Sequence, residues 1–336
     1  MTNDSRFYIQ NSILKCQRGQ EFPKFFLSLM DYKNNYFLSK NPKDIIHFYE
    51  GFENRKELID WMKERPKGSC EIMEVEGEKD IIVVIPTADF EGEYAKRCRE
   101  DVFKGLHMIF VVSGIGNNYF NIAHNSNIGI KKAMEYNPKW IVFSNDDMYK
   151  IDDVEILINE LNRMEPKKIN VIFTNPSSYH SHYVRMAKAN FLFYIYFYIT
   201  NKNMFRNFRK ILKENKLNIV YDQVPFDSKI SYLFKKGYNL INFESFGIFS
   251  YNYISSINGE LFDETFINAG EDVDVSLNLS LQPNKIGMIN YKIGNYVGGT
   301  LGNDVTRALR THAGRIYLNY KWENKLYELI KGKGKN

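Results

Sequence analysis

The sequence predicts an α/β protein with a doubly wound, mostly parallel sheet, an N-terminal extension and a C-terminal helical region. Short apolar runs are typical of strands that are buried on both faces. Helix-compatible segments with short connections separate these runs, as in parallel crossovers. Acidic residues cluster where the runs end, and in open α/β sheets ligands bind outside the carboxyl ends of the strands. These three observations together predict a ligand site at one edge of the sheet.

Composition limits the classes of protein. The 336 residues suffice for one large or two ordinary domains, and the formal charge of +5 is too modest to predict a nucleic-acid partner. The three cysteines, Cys16, Cys70 and Cys98, are widely spaced, which favours a reducing, cytoplasmic compartment. We expect no signal peptide and no membrane span, because no apolar run reaches the roughly twenty residues that a span needs.

The first 77 residues are predicted to form an N-terminal extension or small subdomain. It contains a helix over Lys56–Glu64 and a break at residues 66–69. Further along, the apolar stretch Phe191–Ile199 is too short to span a membrane. It is interpreted as core, with peripheral membrane contact or a homo-oligomer interface as the alternatives.

A nucleotide-binding core is predicted over residues 78–250. Its first strand is Ile81–Ile85, which Pro86 is expected to end. The glycine-containing loop at residues 113–118 is too short for a dinucleotide fingerprint. Three elements in the order helix, strand, helix lie between the first strand and Trp140, namely Glu91–Lys104, Met108–Val112 and Ala123–Tyr136.

The strand that begins at Trp140 runs directly into Asn145, Asp146 and Asp147. A helix over Val154–Leu161 is expected to follow at once, with Asp152 and Glu155 as its N-cap pair. Such an oxygen cluster suits Mg²⁺ or Mn²⁺ held together with a substrate phosphate. The alternative is a solvated acidic turn that caps the helix.

Beyond this helix the sequence is less informative until residue 261. Strands are predicted at Val171–Thr174, Leu240–Phe243 and Phe246–Tyr251. His180 and His182 are interpreted as polar contacts, since no cysteine or third histidine is near them for a metal site.

A second acidic cluster occupies Leu261–Val275 and contains five carboxylates. The apolar residues after it fit both a strand and a helix. In either case Glu271 and Asp272 lie at the start of the element, where a helix N-terminus favours the ionised carboxylate.

With both clusters in place, the chain resembles the GT-A fold glycosyltransferases, which have a Rossmann-like core. It is most similar to their family-two group of inverting, nucleotide-sugar-dependent enzymes. The resemblance covers about residues 78–320. Four segments match the family's motifs in the family's order, namely Ile81–Thr87, Asn127–Ile130 with Ala133, Ser144–Asp147 and Phe262–Asp274.

The resemblance implies a donor and a metal site. A nucleotide diphosphate-sugar would bind with its diphosphate on Mn²⁺ or Mg²⁺, held through Asp147 with Asn145 or Asp146. The metal would offset the charge that develops on the leaving diphosphate. The residues that the resemblance assigns to the nucleotide-sugar on this side are Thr87, Asp89, Asn127 and Asp146.

The resemblance also implies an acceptor side over residues 251–336. Asp272 would remove the proton from the attacking hydroxyl of a glycan, lipid-linked or protein acceptor, and Glu271 would orient the acceptor or the base. The family's later histidine is absent, so His312 is the candidate metal ligand that replaces it. Arg310 and Arg315 are candidates to clamp the diphosphate, and the alternative is an amphipathic helix with a basic outer face.

Three alternatives remain open at this point. A scaffold that binds nucleotide or glycan without transfer is motivated by two departures from the family pattern, at residues 113–118 and at Asn278. A sugar-1-phosphate nucleotidyltransferase would carry a glycine-rich, arginine-containing loop, unlike Thr87–Gly92. A glycoside hydrolase would use Asp147 and Asp272 as paired carboxylates.

Overall fold

The computed structural model describes residues 24–174, 182–185, 239–281, 286–296 and 305–332. Cys16, the stretch Phe191–Ile199 and His180 therefore lie outside the described residues. By its internal contacts the chain divides into two units. The sheet unit lies within Pro66–Tyr183 and Ile241–Gly302, and the helical unit lies within Phe22–Arg65 and Asn303–Asn336. This division differs from the predicted divisions at residues 77 and 250.

The sheet unit is built around a seven-stranded sheet with the order β1-β3-β2-β4-β9-β6-β10. Strands β2, β3, β4, β6 and β10 run in one direction, whereas the edge strand β1 and the internal strand β9 run in the other. The strands are β1 (Glu71–Val75), β2 (Glu78–Thr87), β3 (Leu106–Val112), β4 (Trp140–Ser144), β6 (Val171–Thr174), β9 (Phe246–Ser250) and β10 (Ile286–Ile289). The predicted α/β class with a mostly parallel sheet is thus confirmed.

Two small sheets accompany the central one. Strand β5 (Met148–Lys150) pairs antiparallel with β11 (Ile293–Asn295). The other small sheet consists of β7 (His182–Arg185) and β8 (Asn239–Asn242).

Helices of the sheet unit connect and cover these strands. A π-helical turn, Cys98–Val102, directly continues the helix Glu93–Arg97. The helices are α4 (Glu93–Arg97), α5 (Ile122–Met134), α6 (Val154–Asn162), α7 (Tyr251–Ser256) and α8 (Glu271–Leu281).

Close packing of α5 on the sheet depends on Gly129. A Cβ atom at this position would lie 2.4 Å from Val84 Cγ1 and 2.8 Å from Val111 Cγ2, inside van der Waals contact. Both valines are fully buried on β2 and β3. Because Gly129 has no side chain, the backbone of α5 can approach β2 and β3, which explains the glycine in the segment Asn127–Ile130.

Three local predictions were wrong. Strand β2 does not end at Pro86 but continues to Thr87. Its pairing with β4 ends at Val84, so Pro86 has only β3 as a neighbouring strand, and a residue without an N–H is tolerated there. Helix α6 does not follow β4 at once, since β5 intervenes, and its N-cap is Asp153. The Asp152 carboxylate instead accepts a hydrogen bond from the Lys292 backbone N–H at 2.8 Å.

Four further helices of the described residues belong to the helical unit. These are α1 (Lys24–Leu38), α2 (Pro42–Glu50), α3 (Arg55–Glu64) and α9 (Val305–Gly332). An aromatic core joins α1, α2 and α3 through the rings of Phe37, Phe48 and Trp61, with centroids 4.7 to 5.5 Å apart. The Tyr49 hydroxyl donates to the Leu309 carbonyl of α9 at 2.7 Å.

Within the part of the chain that the structure describes, no helix combines the length and the apolar character that a transmembrane span requires.

Candidate functional site

The first acidic cluster lies at the carboxyl ends of two neighbouring parallel strands. Thr87 ends β2, and Asn145, Asp146 and Asp147 follow β4, which pairs with β2. The Thr87 hydroxyl donates to Asp146 Oδ2 at 2.7 Å, and the side chains of Asp146 and Asp147 are both largely buried. The structure thus brings Thr87, the two aspartates and Asn145 together, and we call residues 145–147 the acidic turn.

Backbone contacts from three other segments fix the acidic turn. The Asn145 N–H donates to the Ser245 carbonyl, and the Tyr296 N–H donates to the Asp147 carbonyl, both at 2.9 Å. The buried Cys98 thiol donates to the Asp146 carbonyl at 3.2 Å. Burial, followed by the charge of Asp146, raises the pKa of Cys98, so the thiol stays protonated and able to donate.

Asp89 lies close to the acidic turn through Thr87. The Asp89 backbone N–H donates to Thr87 Oγ1 at 3.3 Å. Its carboxylate Oδ1 accepts from the Glu91 N–H at 3.0 Å, which stabilises the turn before α4. The predicted nucleotide residues Thr87 and Asp89 are therefore linked to each other and to Asp146.

Asparagines of α5 hold the segment that precedes the second cluster. Asn127 Nδ2 donates to the Phe262 carbonyl at 2.9 Å, and Asn127 Oδ1 accepts from the Phe262 N–H at 3.0 Å. Asn121 Nδ2 donates to the carbonyls of Glu264 and Phe266 at 3.0 and 2.9 Å. Asn127, predicted to contact the nucleotide-sugar, thus binds the backbone of the protein itself.

The second cluster continues into α8, so the ambiguous periodicity resolves as a helix. Asp272 lies in its first turn, and its Oδ1 accepts from the Val273 N–H at 2.8 Å. Burial, opposed by this hydrogen bond and reinforced by the charge of Glu244, raises the pKa of Asp272 to about 6. A carboxylate with this pKa is mostly ionised at neutral pH and is a stronger base than an ordinary aspartate.

The Asp272 carboxyl group lies in the first turn of α8. Glu271 precedes it in the same turn. Asp274, one further residue along, is buried and accepts a hydrogen bond from Asn278 Nδ2 at 3.2 Å, so Asn278 supports the first turn of the helix.

The remaining predicted residues belong to the helical unit. His312 on α9 is largely buried against the ring of Tyr49, with ring centroids 5.8 Å apart. Burial and the charge of Arg315 lower the pKa of His312 to about 4, so its ring is neutral at pH 7. Arg310 Nη1 donates to the Ser39 carbonyl at 3.4 Å, and Arg315 is exposed. The segment that carries these three residues is helical, as part of α9.

An aromatic cluster that sequence reasoning missed adjoins the acidic turn. The ring of Tyr296 packs against Tyr149 at 5.0 Å and against Tyr94 at 6.2 Å between centroids, and the Arg97 guanidinium lies 4.9 Å from its centroid. Tyr296 is 45 % exposed, so one part of this cluster faces solvent. No local signal in the sequence could have found it, because its members come from three separate segments.

The donor set of the acidic turn fits a hard cation. A carboxylate and an amide oxygen on one turn are ligands that Mg²⁺ and Mn²⁺ accept, and Mg²⁺ takes its remaining ligands from phosphate and water. Within the part of the chain described by the structure, no group of three or more His, Cys, Asp and Glu side chains could hold a metal by itself.

No protein-family model matches the chain, and no curated protein matches it in sequence.

Proposed function

We propose that the chain is an inverting, divalent-metal-dependent glycosyltransferase of the GT-A class. The observation that carries the proposal is the acidic turn itself. It follows β4 beside the end of β2, and Thr87 of β2 is hydrogen-bonded to Asp146. A ligand that enters at the carboxyl edge of these strands would meet oxygen donors from both of them.

The proposed donor is a nucleotide diphosphate-sugar. Asn145 and Asp147 would hold Mn²⁺ or Mg²⁺ with the diphosphate, and the cation when bound supplies charge stabilisation of the leaving diphosphate. Thr87 orients the Asp146 carboxylate, and the backbone contacts from Ser245 and Tyr296 keep the turn in one conformation. A turn fixed in this way needs little reorganisation when the donor binds.

Asp272 is the proposed base. Although its pKa is raised to about 6, the carboxyl group is still mostly ionised at pH 7, and it is a stronger proton acceptor than an exposed aspartate. It would take the proton of the acceptor hydroxyl as that oxygen attacks the anomeric carbon opposite the diphosphate, which inverts the configuration there. Glu271, in the same first turn of α8, would orient the acceptor.

A thermal-shift panel tests the proposal. The full-length protein is mixed with nucleoside diphosphates and their sugars, with and without Mn²⁺, and the melting temperature is measured. A ligand that binds only the folded state raises the melting temperature. We expect a rise that needs both Mn²⁺ and one particular nucleotide.

Release of nucleoside diphosphate then separates an enzyme from a binding scaffold. The donor selected by the panel should be turned over by the wild type, whereas Asp272→Asn should bind it equally well and turn it over at least about a hundredfold more slowly. No melting shift with any nucleotide would refute the proposal. Binding without turnover in the wild type would leave only a nucleotide-binding scaffold.

A further inference from the structure

His124, at the start of α5, and Glu264 form a histidine–carboxylate pair. His124 Nδ1 is 2.8 Å from Glu264 Oε2, and the side chains are 17 % and 33 % exposed. The other carboxylate oxygen, Oε1, accepts from Asn127 Nδ2 at 3.1 Å. Both carboxylate oxygens of Glu264 therefore have a hydrogen-bond partner, which fixes the orientation of the carboxylate relative to the His124 ring.

The charge on Glu264 defines the tautomer of His124. Burial acts to raise the pKa of Glu264, but the hydrogen bond and charge of His124, the Asn127 amide and the charge of Lys67 outweigh it, and the pKa is lowered. The ionised carboxylate can only accept hydrogen bonds, so Nδ1 of His124 carries a hydrogen. In the neutral form of the ring, the lone pair is therefore on Nε2.

The Nε2 atom of His124 is available to a ligand. It makes no hydrogen bond within the described residues, and it is not among their buried polar atoms that lack a partner, so the atom is exposed to solvent. An imidazole with one ring nitrogen hydrogen-bonded to a carboxylate is a recurring arrangement in proteins. Its other ring nitrogen accepts protons or binds hydroxyl groups.

The pair is not needed to attach its two segments to each other. Asn127 already bonds both backbone groups of Phe262, and Asn121 bonds two carbonyls of the same segment. Asn268 Oδ1 accepts from the Ile122 N–H at 2.9 Å as well. A purely structural role leaves the open Nε2 unexplained.

The pair lies at the same edge of the sheet as the acidic turn. Helix α5 follows the carboxyl end of β3 and runs back across β2 and β3, so its first turn is at that edge. The Phe262 ring, two residues before Glu264, packs against Phe143 near the end of β4 with centroids 5.0 Å apart.

We infer that His124 Nε2 accepts a hydrogen bond from a hydroxyl group of a sugar ligand, and that Glu264 is the positioning residue that fixes the tautomer. The inference rests on the proposed function for the identity of the ligand as a sugar. A hydroxyl group fits because it has a hydrogen to donate, whereas an anion would be repelled by the lone pair and by the carboxylate behind it.

Nitrogen NMR of the full chain, with its histidines labelled with ¹⁵N, tests the tautomer. The His124 resonances are assigned by their absence in the His124→Gln variant. We expect Nδ1–H in the wild type at pH 7. Glu264→Gln keeps the shape and the bond to Asn127, but its amide donates to Nδ1 and should move the hydrogen to Nε2. An Nε2–H tautomer in the wild type, or no change in Glu264→Gln, would overturn the inference.

Titration with methyl glycosides of glucose, galactose, mannose and N-acetylglucosamine tests the ligand. At least one should shift the His124 resonance, and Glu264→Gln should bind it about tenfold more weakly. Asn125→Ala, a change at a buried neighbour on α5, serves as the control and should bind normally. A shift caused by Mg²⁺ alone would mean a metal ligand instead.

The two proposals fail separately. If the nucleotide panel succeeds and no glycoside shifts His124, this inference is wrong and the proposed function stands. If a glycoside shifts His124 and no nucleotide binds, the chain binds sugar at this pair without being a transferase.

Discussion

The two acidic regions of the sheet unit are stabilised in opposite ways. The acidic turn is fixed mainly through its backbone, by Ser245, Tyr296 and Cys98. The segment before α8 is fixed through the side-chain amides of α5, chiefly Asn121 and Asn127. The first arrangement depends mainly on main-chain hydrogen bonds, whereas the second depends on a few buried side-chain amides.

This difference separates function from stability in the two regions. Substituting a carboxylate of the acidic turn should affect ligand binding more than folding. Substituting an amide of α5 should affect folding first, and function only as a consequence.

The largest effect is expected for Asp147→Ala. Loss of a proposed metal ligand should weaken Mn²⁺-dependent nucleotide-sugar binding by at least about a hundredfold. The backbone contacts of the turn persist in the variant, so the melting temperature without ligand should change little. Calorimetric titration with and without Mn²⁺ measures the first quantity, and thermal unfolding measures the second.

Asp153→Ala is the control for this variant. Asp153 is an exposed acid at the start of α6, six residues further along, and makes a surface ion pair with Lys150. It should bind the donor like the wild type. Equal loss of binding in both variants would mean that general surface charge, rather than the acidic turn, attracts the ligand.

The next effect is expected for Asn127→Ala. The change leaves the N–H and carbonyl of Phe262 buried without their amide partner, which costs about 2–4 kcal/mol of unfolding free energy. Asn125→Ala, at an equally buried position on α5, removes an amide that makes no hydrogen bond with the described residues and should cost much less. Urea unfolding of both variants checks this, and equal losses would contradict the structural role of Asn127.

The smallest effect concerns the pH dependence of stability at Asp272. Its pKa is about 6 in the folded chain and about 4 in an unfolded one, so the folded state binds the proton more tightly. The resulting stability is present below about pH 4 and is lost as the pH rises through 6. The Asp272→Asn variant has no carboxyl group to ionise at this position, so its free energy of unfolding does not fall as the pH rises. It should be more stable than the wild type by about 1–3 kcal/mol at pH 7.5, but not at pH 4.

Urea unfolding at the two pH values measures this difference. Glu155→Gln neutralises an exposed carboxyl in the first turn of α6 and should show no comparable dependence on pH. A wild type whose stability relative to Asp272→Asn is constant between pH 4 and 7.5 would contradict the raised pKa.

Local patterns predicted most of the elements of the sheet unit. The runs at Ile81, Met108, Trp140 and Val171 are strands, because continuous apolar residues need burial on both faces wherever they lie in the chain. The helix before Trp140 could be predicted from its periodicity, and the position of the acids at the end of a strand could be predicted from the order of residue types around Ser144. Both are properties of short segments.

Contacts between distant residues decided the rest. Strand β9 enters the sheet antiparallel between β4 and β6, and β5 forms only because β11 pairs with it. His124 meets Glu264 across 140 residues, and burial with Glu244 raises the pKa of Asp272.

The sequence by itself therefore determined the α/β class, the order of its elements and the position of the acidic residues at their ends, since each depends on neighbours along the chain. Only the tertiary structure decided which strand lies beside which, which amide binds which carbonyl and which carboxyl group holds its proton more tightly. Those properties depend on burial and on partners that the fold brings from distant parts of the chain.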